Sequence, residues 1–353
     1  MNHQLDQTAI RIQFDPGRIL ETTENFLEQC RDAERLTREF RLPRLQAIDN
    51  VVICGMGGSA IGGDLMRAYA ASQSPAPIEI VRNYTLPAYV NSNTLVIAGS
   101  YSGHTEETLS CYQQAKTQGA QIVAITTGGR LVELCRQDQT PCLLIPGGYA
   151  PRAALGYSFI PLLLFFEQWG LVSPQTDAIQ DMHLTLKNCI EQYKFDSPFD
   201  ANPAKQLAAA LQNVIPVIYA GQDAFEPIPA RWRAQFNENT KSFAHNFAIP
   251  EMNHNEILGW SQPAQALEKL QPIFLIDRGY HKQTAKRFQI MKAIFESASK
   301  HVIEISSQGE SLLARMISLI SLGDFTSIYL AYLYRQDPTP IPAIDRLKEE
   351  LAR

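Results

Sequence analysis

Ser100, Ser102 and Thr105 stand close together in "SYSGHTEE" (100–107), directly after the apolar run "TLVIAG" and before the helix-like "ETLSCYQQAKTQG". Where a strand gives way to a helix, the first N–H groups of the helix have no intrahelical partner and carry a partial positive charge. An anion settles there, and hydroxyl donors on the same turn make a phosphate clamp that needs no metal. Helix capping by Thr105, with Glu106 and Glu107 behind it, accounts for one of these hydroxyls and not for three. A second turn, "GMGGSAIGGD" (55–64), also follows an apolar run. Its G-x-G-G-S spacing departs from the dinucleotide pattern G-x-G-x-x-G. The next strand, "PIEIVRNY", ends in Arg82 and Asn83 rather than in an acid for a ribose, with Glu79 inside it, so a nicotinamide cofactor is not expected. A tight turn explains Gly55, Gly57 and Gly58 but leaves Ser59 unexplained.

The elements that must position these turns follow from periodicity. Residues 16–43 read as an amphipathic helical lead-in, with Leu20, Phe26, Leu27 and Cys30 at roughly helical spacing and an end at Pro43. Apolar, β-rich runs then alternate with helical stretches: "NVVIC", "PIEIVRNY", "NTLVIAGS", "QIVAITT" and "PCLLI". That alternation means a parallel sheet with helices on both faces. Residues 171–206 are more polar and helix-like, and the alternation resumes after them with "NVIPVIYAG", "QPIFLIDRG", the helix "HKQTAKRFQIMKAIFESASK", the strand "HVIEISS" and the long apolar helical region "SLLARMISLISLGDFTSIYLAYLYRQ". The second half replays the first, an internal duplication at domain scale. The expected fold class is α/β, two doubly wound parallel-sheet domains of the flavodoxin-like α-β-α type. The expected division is a lead-in over 1–45, a first domain over 46–170, a helical linker over 171–206 and a second domain with a helical tail over 207–353.

Composition narrows the partners. The chain has 353 residues, 45% hydrophobic and 19% charged, with a formal net charge of -5 and no Lys/Arg run. No nucleic-acid partner is expected, because such a surface needs a clustered basic face. The six cysteines are scattered without a C-x-x-C pair or histidines at metal-ligand spacing, so reduced packing residues, and neither a metal nor a cofactor, are expected. The N-terminus lacks the charged start and apolar stretch of a signal peptide. Apolar stretches such as "FIPLLLFF" (159–166) fall far short of the roughly 20 residues of a membrane span. The expected location is the cytoplasm, with no membrane partner.

Six segments, "GMGGSAIGGD", "SYSGHTEET", "PRAALGYSF" (151–159), "RWRAQFNENTK" (231–241), "EMNHNEILGW" (251–260) and "DPTPIPAIDRLKEEL" (337–351), occur in one order from about residue 50 to the C-terminus. In them the chain resembles the bifunctional phosphoglucose/phosphomannose isomerases, built from two sugar-isomerase (SIS) domains. His104 departs from that family's pattern, which usually has Asn in S-x-S-G-N-T. The resemblance implies an aldose–ketose isomerase acting on glucose 6-phosphate and fructose 6-phosphate, and on mannose 6-phosphate. It implies Glu238 as the base, Arg152 as the fixed cation beside the enediolate, and His254 with Lys348 opening the sugar ring. Gly58 and Ser59 would bind sugar hydroxyls, while Ser100, Ser102 and Thr105 hold the phosphate. It also implies a homodimer in which His254 reaches the site of the neighbouring subunit. Two other readings fit the same turns: an isomerase for another sugar phosphate, such as an arabinose or hexulose phosphate, and a sugar-phosphate sensor without chemistry. The reaction itself asks for a carboxylate base, a cation at the developing oxyanion and a group that titrates near neutrality.

Overall fold

The computed structural model describes residues 3–297 and 301–351. They form two compact units, Asn25–Ile179 on one hand and the residues up to Glu24 together with those from Gln180 onward on the other.

In the Asn25–Ile179 unit, β1 (Asn50–Cys54), β2 (Ile78–Val81), β3 (Thr94–Ser100), β4 (Gln121–Thr126) and β5 (Cys142–Leu144) make a parallel sheet in the order β2-β1-β3-β4-β5. Val51, Val52, Leu95, Val96, Ile97 and Ala98 are fully buried, as strands covered on both faces require; each of the Val, Leu and Ile side chains contributes about 1.5–3 kcal/mol. The helices Gly57–Ala70, Glu106–Thr117 and Gly129–Asp138 are the crossovers. Strand order reverses between β1 and β3, so the two turns singled out in the sequence lie side by side at the carboxyl end of the sheet, where open α/β sheets bind ligands.

In the other unit, β6 (Ile215–Gly221), β7 (His245–Ile249), β8 (Leu270–Ile276) and β9 (Ile303–Ser306) form a parallel sheet in the order β7-β6-β8-β9. This repeats the β2-β1-β3-β4 portion of the first sheet, the α/β duplication expected from the sequence. Strand β7 was not expected: an edge strand opening with His245 and Asn246 and buried fully only at Ile249 has no apolar run to betray it. The expected helix after β8 spans Lys282–Ser297; its continuation over 298–300 lies outside the described residues.

The helix Leu312–Leu333 corrects the reading that every apolar stretch is too short for a membrane. By length and composition alone it could cross one, yet its apolar stretch is wholly buried inside the protein. Ser321, Gly323, Asp324, Thr326 and Ser327 break its apolar letters into short runs, so the region read in the sequence as a long apolar helix is not weighed there as a span. The lead-in consists of Ile19–Glu24 and Phe26–Glu39, the second helix ending before residues 40–43 rather than at Pro43. Asp15 fixes the start of the first, accepting from the N–H groups of Ile19 and Leu20 at 2.8 and 3.0 Å and from the Tyr332 hydroxyl at 2.9 Å. All six cysteines are unbridged, and only Cys142 is not fully buried.

Candidate active site

The turn after β3 is built around Ser100. Its side chain is buried, its Oγ accepts from the N–H groups of Gly103 (3.0 Å) and Thr105 (3.4 Å), and it shares a hydrogen bond with Thr105 Oγ1 at 2.8 Å. Ser102 Oγ accepts from His104 N–H at 3.2 Å, and both residues are exposed. Thr105 is the N-cap of Glu106–Thr117 but makes no side-chain capping bond. Its hydroxyl braces Ser100 instead, so capping does not explain it. Gly103 is required here: at φ +71 a Cβ would lie 1.8 Å from the Gly128 carbonyl oxygen. Across this contact the neighbouring turn is stitched on, with Thr127 Oγ1 donating to Tyr101 O at 2.7 Å and Leu131 N–H to Gly103 O at 2.9 Å.

The turn after β1 joins the same assembly. Ser59 Oγ accepts from Tyr101 N–H at 3.2 Å. Gly58 sits so close to the Pro151–Arg152 backbone that a Cβ would meet the Pro151 oxygen at 2.4 Å. Arg152 lies in the one-turn helix Pro151–Ala153 and is only 5% exposed. Gln29 holds that turn from the lead-in helix, donating to Ala153 O at 2.9 Å and accepting from Gly156 N–H at 2.6 Å. Tyr101 closes the circle: its hydroxyl donates to Pro146 O at 3.2 Å and accepts from Tyr149 N–H at 2.9 Å, while burial raises its pKa and keeps it neutral. Gly58, Ser59, Ser100, Ser102, Thr105 and Arg152 are thus brought together at the carboxyl end of one sheet. Main-chain N–H groups, hydroxyls and a guanidinium can hold an anion and oppose a developing negative charge.

Glu238 belongs to the other unit. It lies on Phe236–Thr240, a π-helical turn that continues the helix Pro227–Gln235; such turns re-aim side chains and recur at functional sites. The turn is held from below. Arg231, 3% exposed, donates Nε and Nη2 to Asp324 at 3.1 and 2.6 Å, and Gln235 Nε2 donates to the same carboxylate at 2.8 Å. Asn239 Nδ2 donates to Ser327 Oγ at 2.8 Å. Lys241, in the left-handed region at φ 58, ends the turn; its Nζ donates to Glu238 O (2.6 Å) and to the carbonyls of Asp337 and Pro338 (both 3.1 Å). That lysine ties "NENTK" to "DPTPIPAID". Glu238 itself is half-buried, between the dry floor of Asn239 and solvent.

His254 ends the one-turn helix Glu251–His254 and is exposed. Lys348 lies on the helix Pro342–Leu351, which carries no buried residue. Within this unit the structure joins Glu238 to the "DPTP" segment, and His254 and Lys348 stand on separate surface elements. Sequence reasoning passed over Gln29, Lys241 and Asp324. Gln29 and Asp324 could have been found as an amide and a carboxylate on helix faces whose other buried polar members are small hydroxyls; Lys241 acts through backbone carbonyls and leaves no such trace. Among the described residues no group of three or more His, Cys, Asp or Glu is arranged to hold a metal ion.

Residues 45–143 match the SIS domain family, and residues 200–351 match the bacterial phospho-glucose isomerase C-terminal SIS domain. Fold and turns together therefore define a protein of two SIS-type domains. A bifunctional phosphoglucose/phosphomannose isomerase of Caldicellulosiruptor bescii is 46% identical over 335 residues, 95% of this chain and 99% of its own. One from Aquifex aeolicus is 35% identical over 304 residues, 86% and 90% of the two chains. A solved structure of a hypothetical protein from Thermus thermophilus superposes with a TM-score of 0.73, covering 99% of this chain and 93% of its own; at 16% identity it speaks for the fold alone. The chain belongs to the bifunctional phosphoglucose/phosphomannose isomerase family.

Proposed function

We propose that the protein interconverts glucose 6-phosphate, mannose 6-phosphate and fructose 6-phosphate by moving a proton between the first two carbons of the open-chain sugar. The two aldoses differ only at the carbon that loses the proton and share one enediolate with the ketose, so a base that returns the proton to either face serves all three. The observation that carries this reading is a 46% identical isomerase covering 95% of the chain.

In this mechanism the turn of Ser100, Ser102 and Thr105 anchors the phosphate, with Ser100 acting from beneath through Thr105. Gly58 and Ser59 meet sugar hydroxyls, the former through its backbone. His254 and Lys348 exchange a proton between the ring oxygen and the C1 hydroxyl, opening the ring. Glu238 then takes the C2 proton and returns it to C1, and Arg152 steadies the enediolate oxygens. A guanidinium buried before the substrate arrives need not reorganise as charge develops, which is where such groups have most effect. Exposure of His254 on its own chain supports a homodimer in which it serves the partner's site, and the unbridged thiols suit the cytoplasm.

Purified protein assayed on glucose, mannose and fructose 6-phosphates, beside arabinose and hexulose phosphates, tests the reading. Turnover of the first three is expected. Turnover confined to the others, or binding of all without turnover, would replace it with another isomerase or with a sensor.

A further inference from the structure

The segment carrying His254 is two one-turn helices, Glu251–His254 and Glu256–Gly259, and a side chain that exchanges protons with a sugar must be placed to within about an ångström. A polar network in the sheet beneath holds the residues that follow His254. Glu256 begins the short helix Glu256–Gly259 and is half-buried. One carboxylate oxygen accepts from the hydroxyl of Tyr219, a fully buried residue of β6; the other lies 2.9 Å from His245 Nε2 on β7. Trp260 Nε1 donates to the same Tyr219 oxygen at 2.9 Å, and its ring packs 4.6 Å from that of Phe295. Asn255, between His254 and Glu256, accepts from Glu256 N–H at 2.6 Å and donates to Glu251 at 3.1 Å, bracing the loop internally. Met252, buried at 0% exposure, pins the other side of the turn.

A carboxylate drawn into a sheet floor is not what packing alone selects, since an apolar residue there would avoid the desolvation cost. Burial raises the pKa of Glu256, but hydrogen bonds from His245 and Tyr219 more than offset this and leave it below the ordinary value, so it stays ionised. We infer that Glu256 is a positioning residue for the reaction, locking the His254 loop to β6 and β7 through Tyr219 and His245. This rests on the proposed ring-opening role of His254.

A double-mutant cycle separates the two. Glu256→Ala should lower kcat for glucose 6-phosphate about tenfold while KM changes less than about threefold, since the phosphate site is untouched. In a His254→Asn background the same substitution should cost less than about twofold further, because a residue acting through His254 has nothing left to position. Tyr219→Phe, which keeps the ring and removes one anchor, should give a smaller kcat loss that also vanishes in His254→Asn, and it serves if Glu256→Ala does not fold. Equal losses in both backgrounds, a loss confined to KM, or unchanged kcat would overturn the inference alone. Wild-type turnover in His254→Asn would overturn the ring-opening role and the inference with it.

Discussion

The Ser100 hydroxyl, expected from the sequence to hold a phosphate, is turned into its own turn. Its Oγ accepts two backbone N–H groups and bonds Thr105, so Ser100→Ala would strand buried donors. We expect a cost of about 1–3 kcal/mol, appearing as a rise in KM for every phosphorylated substrate with a smaller change in kcat, measured by steady-state kinetics. The converse holds for Arg152, whose planar fork a lysine cannot reproduce. Arg152→Lys should lower kcat by about tenfold or more and leave phosphate affinity nearly intact; an equal fall in affinity would place the guanidinium on the phosphate instead. The candidate residues could be named in the sequence because the turns and the family motifs carry them. Their division of labour could not be, because it depends on which backbone groups each side chain meets.

At the scale of elements, each unit carries its own device. The anion turn needs a glycine where the neighbouring turn comes closest, with only 1.8 Å between a Cβ at Gly103 and a carbonyl oxygen. The π-turn of Glu238 rests on the Arg231–Asp324 pair, both members under 10% exposed. Asp324→Asn leaves a buried guanidinium half-partnered and should cost about 3–5 kcal/mol in thermal or denaturant unfolding, whereas a surface pair such as Arg31–Glu28 should cost less than about 1 kcal/mol. The strands of both sheets, except β7, could be read from apolar runs. Strand β7 could not, because its register is set by pairing with β6 rather than by its own composition. Nor could the π-turn, since "FNENT" has no local signature of the extra residue it accommodates.

For the molecule as a whole, duplication was visible in the sequence as a repeated alternation, and the two sheets bear it out in strand order. One part of its pH response comes from Glu256. Glu256 lies below its ordinary value of 4.5, so its folded form holds fewer protons than the unfolded chain. Its contribution is full above that value and is lost as the pH falls through the lower folded value. The difference in unfolding free energy between wild type and Glu256→Gln should therefore shrink on acidification below about pH 4.5 and stay constant above about pH 6. The central claim is that the Glu238 carboxylate moves the proton, and isomerisation in deuterium oxide tests it most directly. Wild-type protein should place solvent deuterium at C2 of the aldose phosphates, and Glu238→Gln should lose both exchange and isomerisation by about 100-fold or more while still binding the sugar phosphate. Exchange and turnover that survive in Glu238→Gln would contradict the account.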